Sequence, residues 1–241
     1  MITDDAVALR TWEYSETSQT AALFTREHGV VRALAKGARR ERSAYSGGIE
    51  VLTRGRAVAI LKPTTDLATL TSWDLLSIYW RPRRDLLAHR VGLYLADLVY
   101  HAITDEDPHP GLYDILVGAL EGMEAGRDPF TVCARFQWGV LGEIGSRPDV
   151  LSSEGSASRT NGDAVFFDPR AGRCVASPTP GVWPVQRRTI ERIREFDVSG
   201  GIEADADRDR KPGRFLSEYL VHVIGRDLPT RKPLFGPLVM G

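Results

Sequence analysis

Cysteines and the common catalytic motifs are both scarce in this sequence. Only two cysteines, Cys133 and Cys174, occur among its 241 residues, and they stand far apart. This usage does not suggest a disulfide framework, so we expect the protein in a reducing cytoplasm. The sequence has no HExxH, GxSxG, CxxC or Walker A pattern, which disfavours a zinc hydrolase, a serine hydrolase and a P-loop nucleotide hydrolase.

Long apolar runs are also missing, and the first residues do not form an apolar segment. We therefore expect neither secretion nor membrane spanning. Hydrophobic residues make up 42% of the chain and charged residues 26%, as in an ordinary globular protein. A chain of 241 residues has room for one large or two small domains and for a sizeable core.

Acidic residues are rare in one part of the chain, although the net charge is −1. Nine basic residues lie between Arg26 and Lys62, against three acids, Glu27, Glu41 and Glu50. A local excess of this kind matters more than net charge for attracting a polyanion.

The stretch 32–49 concentrates this charge. It begins with β-like apolar residues and then carries Lys36, Arg39, Arg40 and Arg42, followed by Tyr45 and two glycines. Cations for phosphate, a ring for stacking and glycines for close backbone approach are what single-stranded nucleic acid requires of a binding loop. The alternative interpretation is a loop whose charges are simply solvated.

Alternation of apolar residues predicts short strands in the first part of the chain. They span residues 6–12, 20–25, 30–35, 51–61 and 67–71, and a four-residue loop ending in Gly29 joins the second to the third. Five short strands with a basic loop predict a small barrel such as an OB-fold, although an SH3-like barrel fits the pattern almost as well.

Helical periodicity replaces this alternation after residue 78. Helices are predicted at 86–98, 112–123, 130–144, 184–196 and 212–224, the last two with a proline near their start. The predicted class is α+β: an N-terminal five-stranded OB-fold β-barrel (residues 1–78), then a mostly α-helical domain (residues 79–241). Residues 145–183 form an irregular inserted lobe, with a short strand at 165–168.

Several motifs follow one another in the N-terminal part: Glu16-Thr17, an F-T-x-E-x-G hairpin at 24–29, A-K-G-A-R at 35–39 and LATLTSWDLL from Leu67. In this order they resemble the RecO family of DNA repair and recombination mediators. The match is ordered and covers about the first eighty residues, and the helical remainder matches in layout.

The resemblance implies an OB-fold that binds single- and double-stranded DNA and anneals complementary strands. It further implies partnership with RecR and with the acidic C-terminal tail of single-strand-binding protein, which together help to load a recombinase. The resulting expectation is a cytoplasmic, nucleoid-associated protein that is not an enzyme.

The sequence departs from this family at a zinc site. Many members carry four cysteines in the inserted lobe, and the corresponding positions here are Ser153, Ser156, Cys174 and Ser177. Structural zinc needs thiolate or imidazole ligands, which serine does not supply. We therefore predict no zinc and no other cofactor.

The candidate DNA-binding residues are all cationic apart from one tyrosine: Arg26, Arg32, Lys36, Arg39, Arg40, Arg42, Tyr45, Arg54 and Arg56. Alternation puts Arg54 and Arg56 on one face of a strand, and Arg32 lies near the entry to the basic loop. Tyr45 either stacks on a base or belongs to the edge of the barrel core.

Two alternatives stay open. The first is a protein-interaction adaptor with weak DNA affinity. Arginines at 83, 84 and 90 or at 187, 188, 192 and 194 could surround a pocket for an acidic tail, but solvated helix faces are the simpler interpretation of these residues. The second is a metal-dependent nuclease built on Asp105, Glu106, Asp107 and His109, for which a solvated turn between helices is the simpler interpretation.

Overall fold

The chain folds into two compact units, residues 1–126 and residues 127–241. The structure is a computed structural model and describes residues 1–40, 43–45, 48–62, 65–150, 163–197 and 206–238. The last barrel strand ends at Ile78, whereas the first compact unit continues to Gly126. The division at residue 78 into two functional domains stays a prediction.

Five strands of the described chain close a barrel in the first unit. They are β1 (Ile2–Glu13), β2 (Gln19–Thr25), β3 (Gly29–Ala35), β4 (Thr53–Lys62) and β5 (Thr65–Ile78). Their order around the barrel is β1-β2-β3-β5-β4. The β3–β5 pair is parallel and the other pairs are antiparallel. This Greek-key order confirms the predicted OB-fold and disfavours the SH3-like alternative.

Small side chains fill most of the barrel interior. The core includes alanines from all five strands and from the loop after β3, with Trp73 and Tyr45 as its largest members. A five-stranded barrel leaves little internal space, so a few large rings suffice to fill it. Tyr45 is only 6% exposed, and its hydroxyl donates a hydrogen bond of 2.6 Å to the carbonyl oxygen of Leu70.

A tight turn joins β2 to β3 and fixes the position of Arg26. Gly29 has a φ of +69°, and a Cβ added there would lie 2.3 Å from the carbonyl oxygen of Asp107. Only glycine meets both conditions. The hydroxyl of Thr25 donates a 2.9 Å hydrogen bond to the Gly29 carbonyl, and this contact closes the turn.

Three helices follow the barrel within the same unit: α1 (Arg81–Arg84), α2 (Leu86–Ala102) and α3 (Pro110–Glu124). Asp85 caps α2, because its side chain accepts a 2.9 Å hydrogen bond from the Ala88 amide. The α2–α3 loop returns to the barrel, where Asp105 forms a parallel bridge with Val30 of β3. This contact places the acids of the loop beside barrel strands.

The second unit combines helices with a three-stranded sheet. Its helices are α4 (Pro129–Glu143), α5 (Arg187–Arg194), α6 (Ala206–Ile224) and α7 (Lys232–Phe235), and a 3₁₀ turn spans Glu195–Asp197. Its strands are β6 (Ala164–Asp168), β7 (Arg173–Val175) and β8 (Trp183–Gln186), in the order β7-β6-β8. Residues 163–183 of the predicted lobe are therefore more regular than their composition predicts.

Both prolines predicted to begin helices lie elsewhere. Pro184 belongs to β8, an edge strand, where the missing N–H of proline is tolerated. Pro212 lies inside α6, which begins six residues earlier at Ala206. Proline near the start of an apolar run therefore did not mark a helix start here, because an edge strand accommodates Pro184 and the interior of α6 accommodates Pro212.

A buried ion pair connects the helices of this unit. Asp209 of α6 accepts hydrogen bonds of 2.6 Å and 3.1 Å from Arg192 of α5 and one of 2.7 Å from the Thr131 hydroxyl of α4. The carboxylate hydrogen bonds raise the pKa of Arg192. Removing one partner of such a pair typically costs about 3–5 kcal/mol, because the other charge is left buried.

Aromatic rings attach the small sheet to α6. Phe167 of β6 is fully buried and meets Phe215 and Tyr219 edge-on, with ring centroids 5.0 Å and 5.3 Å apart. Trp183 of β8 lies 6.0 Å from the same ring. Edge-to-face pairs of this kind add to the free energy of burial, so the sheet has its own source of stability.

The positions of the family zinc site do not fit the metal in this chain. Cys174 lies on β7 and Ser177 in the exposed segment after it, while Ser153 and Ser156 lie outside the described residues. No cluster of three or more His, Cys, Asp or Glu side chains suitable for a metal occurs in the part of the chain that the structure describes. The absence of zinc stays a prediction, and metal analysis of the purified protein tests it.

The helices are also too short or too polar to span a bilayer. Among the described residues, none combines the length and the apolar character that crossing a membrane requires.

Changing Tyr45 to Phe tests its place in the core. We expect the free energy of unfolding to fall by about 1 kcal/mol, because the Leu70 carbonyl loses its buried donor. Urea denaturation measures this, and Tyr14→Phe, which alters an exposed tyrosine, is the matched control. Equal stability of the two variants would contradict the core assignment.

Changing Phe167 to Ala tests the aromatic attachment of the sheet. Loss of this buried ring should lower the free energy of unfolding by about 3–5 kcal/mol. The neighbouring Phe166, half-buried on the opposite face of β6, supplies the control variant Phe166→Ala. A similar, small loss for both variants in urea denaturation would rule out the proposed role of Phe167.

Candidate nucleic-acid interface

The loop after β3 presents cations from a fixed backbone. Ala38 is fully buried in the barrel core, whereas its neighbours Lys36, Arg39 and Arg40 are exposed. One apolar residue thus anchors the loop, and the cations on either side of it project into solvent. Alanine suits this position because its small side chain fits the crowded interior of the barrel.

Hydrogen bonds fasten this loop to the β1–β2 turn. The Gly37 amide donates a 3.1 Å hydrogen bond to the Ser18 hydroxyl, and the Arg39 amide donates one of 3.1 Å to the Thr17 carbonyl. Gly37 has a φ of +71°, and the Arg40 side chain lies 3.4 Å from the position of an added Cβ. A rigid loop binds with a smaller entropic cost than a mobile one. We call residues 36–40 the cationic loop.

The cations of this loop differ in their pairing. Arg39 forms a 2.8 Å ion pair with Glu13, and both side chains are largely exposed. Lys36 and Arg40 have no acidic partner among the described residues. Arg42, also predicted to bind DNA, lies outside them. Within the part of the chain that the structure describes, Lys36 and Arg40 are therefore the cations of this loop without an acidic partner.

Arginines on the barrel strands and turns are engaged with acids instead. Arg26 makes two hydrogen bonds to Asp114 of α3, of 3.1 Å and 2.9 Å. This bidentate contact raises the pKa of Arg26 and lowers the pKa of Asp114. Arg32 pairs with Asp105 of the α2–α3 loop at 3.0 Å. Both arginines therefore connect the barrel to the elements that follow it.

Arg54 and Arg56 share one acid on β1. The Nε of Arg56 lies 3.0 Å from Asp5, and Arg54 lies 3.5 Å from Asp5 and also 3.5 Å from Glu121 of α3. Arg54 is also near Tyr113, whose pKa is raised by burial. The predicted shared face is present, but its charge is directed toward carboxylates of the same unit.

The nine predicted residues consequently do not form one uniform cationic surface. Within the described residues, five are ion-paired: Arg26, Arg32, Arg39, Arg54 and Arg56. Tyr45 is a core residue, so its ring is not available to stack on a base. The alternative interpretation of Tyr45 is the one that the structure supports.

Two aromatic residues beside the cationic loop escaped the sequence analysis. Trp12 is 42% exposed and Tyr14 is 63% exposed, at the end of β1 where the loop is fastened. They alternate with Glu13 in the sequence Trp-Glu-Tyr. The sequence signal was the alternation of two aromatic residues directly before a polar turn. Aromatic residues at a strand end beside a turn are less enclosed than those in the middle of a strand, so the pattern indicates exposed rings.

The acids of the α2–α3 loop serve separate contacts. Asp105 faces Arg32, and His109 contacts Asp107 at 3.2 Å. Neither contact joins these residues into a metal-binding cluster within the described part of the chain. The nuclease alternative gains no support from this geometry.

Comparison with known proteins covers almost the whole chain. Residues 1–79 match the family model described as "Recombination protein O N terminal", and residues 83–232 match "Recombination protein O C terminal". The boundary between the two matches falls where the barrel strands give way to helices.

Curated relatives agree with these matches. A "DNA repair protein RecO" of Anaeromyxobacter sp. (strain K) is 29% identical over 245 residues, which cover 97% of this chain and 96% of the relative. The protein of the same name from Myxococcus xanthus (strain DK1622) is 30% identical over 234 residues, 94% of each chain. One from Bacillus subtilis (strain 168) is 28% identical over 146 residues, 61% of this chain and 56% of the relative. Fold, order of elements and sequence agree, and the chain belongs to the RecO family.

Proposed function

We propose that this chain binds single- and double-stranded DNA and anneals complementary strands without making or breaking covalent bonds. Its family supports a role in DNA repair and recombination. The observation that carries the finer proposal is the cationic loop, in which buried Ala38 holds the backbone while Lys36 and Arg40 remain free of acidic partners in the described structure.

The mechanism requires only charge neutralisation. Two DNA strands repel each other through their phosphates, and bound lysines and arginines reduce that repulsion. Released counterions favour binding and make it depend on salt, with a log–log slope of about −0.7 for each neutralised phosphate of a single strand. Base pairing then proceeds spontaneously, so no nucleotide hydrolysis is needed.

The paired arginines have a different place in the proposal. Arg26, Arg32 and Arg54 hold acids of α3 and of the α2–α3 loop, and they stabilise the first unit. Their contribution to DNA binding is secondary, because phosphates must compete with carboxylates already in contact. Arg39 is intermediate, since its partner Glu13 is exposed.

A groove on the second unit supports partner binding. Its volume is about 300 Å³, its apolar lining includes Pro184, Val185 and Phe215, and Lys211 and Arg214 supply positive charge. An acidic peptide that ends in hydrophobic residues needs this combination. We assign the groove to the C-terminal tail of single-strand-binding protein, and partnership with RecR and recombinase loading complete the proposal.

The cations of this groove differ from those expected from the sequence. Arg192 is buried against Asp209, and Arg194 donates a 2.7 Å hydrogen bond to the Val150 carbonyl. Both side chains serve the fold of the second unit. Lys211 and Arg214 of α6 line the groove instead. Arg214 is ion-paired with Glu218 at 3.2 Å, so in the described structure Lys211 is the cation of the groove without an acidic partner.

The adaptor alternative draws on the same ion pairs. Because so many barrel arginines are neutralised, a protein that binds partners strongly and DNA weakly is consistent with the charge distribution. Measured DNA affinity separates the two proposals, since an adaptor needs the groove but not the cationic loop.

Changing Lys36 and Arg40 together to alanine tests annealing. We expect complementary oligonucleotides to anneal about tenfold more slowly at low salt, since two phosphate contacts are lost. The matched double variant Arg26→Ala/Arg56→Ala removes the same charge from paired arginines and should have the smaller effect. Fluorescence quenching between labelled strands follows the rate.

The outcome that contradicts the proposal is equal annealing by wild type and the loop variant. Circular dichroism of each variant shows that it is folded. If the control variant loses more activity than the loop variant, DNA lies on the strand arginines instead.

Charge reversal at Lys211 and Arg214 tests the groove. The double change to glutamate should weaken binding of a fluorescent acidic tail peptide by about tenfold, because rim cations become repulsive. Fluorescence anisotropy measures the affinity, and the exposed Arg170→Glu serves as control. An equal loss in the control would show that the peptide responds only to overall charge.

A further inference from the structure

The burial of Tyr45 leaves the cationic loop without the aromatic surface first predicted for it. Proteins that bind single strands combine cations for the backbone with rings on which bases stack. Trp12 and Tyr14 are the exposed aromatic residues at the end of β1. We propose that they form a base-stacking platform for a DNA strand whose phosphates lie on the cationic loop. This inference rests on the proposed DNA binding and adds the residues that contact bases.

Strand register brings the platform and the loop to the same end of the barrel. Glu13 pairs with Gln19 of β2, and Gln19 pairs with Ala35, the last residue of β3. The cationic loop starts at the next residue, Lys36. Glu13, which lies between the two aromatic residues, forms the 2.8 Å ion pair with Arg39. This ion pair fastens the end of β1, the segment that carries the two rings, to the cationic loop.

A second aromatic ring supports Trp12. The ring centroids of Trp12 and Tyr100 of α2 lie 6.4 Å apart, with an interplanar angle of 57°. Trp12 still exposes 42% of its surface. Its ring is thus held on one side by the protein and open on another. A ring held in this way loses little conformational freedom when a base stacks on it.

Arginines fix Tyr100 in turn. The guanidinium carbon of Arg10 lies 4.4 Å from the Tyr100 ring centroid, and that of Arg32 lies 5.7 Å from it. Arg10 is also ion-paired with the buried Asp97, and Arg32 is paired with Asp105. Cation–π contacts of this kind are attractive, so the support beneath Trp12 is rigid.

The surroundings favour nucleic acid over an apolar protein partner. Thr11, Glu13 and Ser15 separate and flank the two rings in sequence, so the rings do not belong to a continuous apolar run. The nearest attached loop carries Lys36 and Arg40, which match a polyanion. Isolated rings among polar and cationic groups are typical of base stacking on single strands.

The platform predicts a preference between DNA forms. Bases of a duplex already stack on each other, whereas bases of a single strand can leave the strand axis and cover a ring. Trp12 and Tyr14 should therefore add affinity for single strands only. The cations of the loop should add affinity for both forms, because both present phosphates.

The test uses the full chain with Trp12→Ala/Tyr14→Ala. Its affinity for end-labelled oligo-dT, measured by fluorescence anisotropy, should fall by about tenfold or more. Its affinity for a duplex of equal length should change less than twofold, and the salt slope should stay that of wild type. Trp80→Ala, which removes an exposed tryptophan beside Arg84, is the control and should leave both affinities unchanged.

The conservative variant Trp12→Phe/Tyr14→Phe distinguishes loss of the rings from misfolding of the alanine variant. It keeps two rings and should keep most of the affinity for oligo-dT. A base stacked on Trp12 should quench the fluorescence of that ring. The loss of tryptophan fluorescence on adding oligo-dT should therefore be smaller in Trp12→Phe than in wild type.

Several outcomes overturn the platform. An equal loss of affinity for single strands and duplex overturns it, as does a change of oligomeric state in the alanine variant, which would indicate a protein contact. Unchanged oligo-dT affinity of Trp12→Ala/Tyr14→Ala also overturns the platform. The proposed DNA binding survives that result if Lys36→Ala/Arg40→Ala still weakens binding. If wild type binds neither DNA form, the proposed function fails together with the platform.

Discussion

The ion pairs between barrel arginines and neighbouring carboxylates determine which cations of the first unit remain available to a ligand. Arg26, Arg32 and Arg54 are directed to Asp114, Asp105 and Glu121, all of which lie on α3 or in the loop before it. An arginine that holds an acid in place must release it before it can hold a phosphate. Among the candidate DNA-binding residues that the structure describes, the same contacts thus leave Lys36 and Arg40 of the cationic loop as the cations without an acidic partner.

In the second unit, apolar contacts attach the small sheet to α6. Phe167 of the small sheet packs against Phe215 and Tyr219 of α6. Burial of a phenylalanine ring contributes roughly 1.5–3 kcal/mol, so this packing stabilises the attachment of the sheet to α6. The groove between β8 and α6 results from this packing, because Val185 and Phe215 line it.

Local sequence patterns predicted the barrel because short β-like runs are separated by turn residues, although β2 and β3 are buried along nearly their whole length rather than on one face. They also predicted the cationic loop, whose glycine and charges are consecutive. They did not predict the pairing of Arg26 with Asp114, which joins residues 88 positions apart. Tyr45 lies in a loop without periodicity, so the sequence left its direction open. Trp12 was assigned to a strand end, and only strand register shows that it lies at the same end of the barrel as the loop.

Chemical footprinting of lysines and arginines, with and without oligo-dT, tests most directly whether free and paired cations have separate roles. Acetylation of Lys36 and phenylglyoxal modification of Arg40 should slow markedly when the oligonucleotide is bound. Modification of Arg26 and Arg54 should be slow in both states, since Asp114 and Asp5 already engage them. Protection by DNA of Arg26 and Arg54, with Lys36 and Arg40 unaffected, would contradict the account.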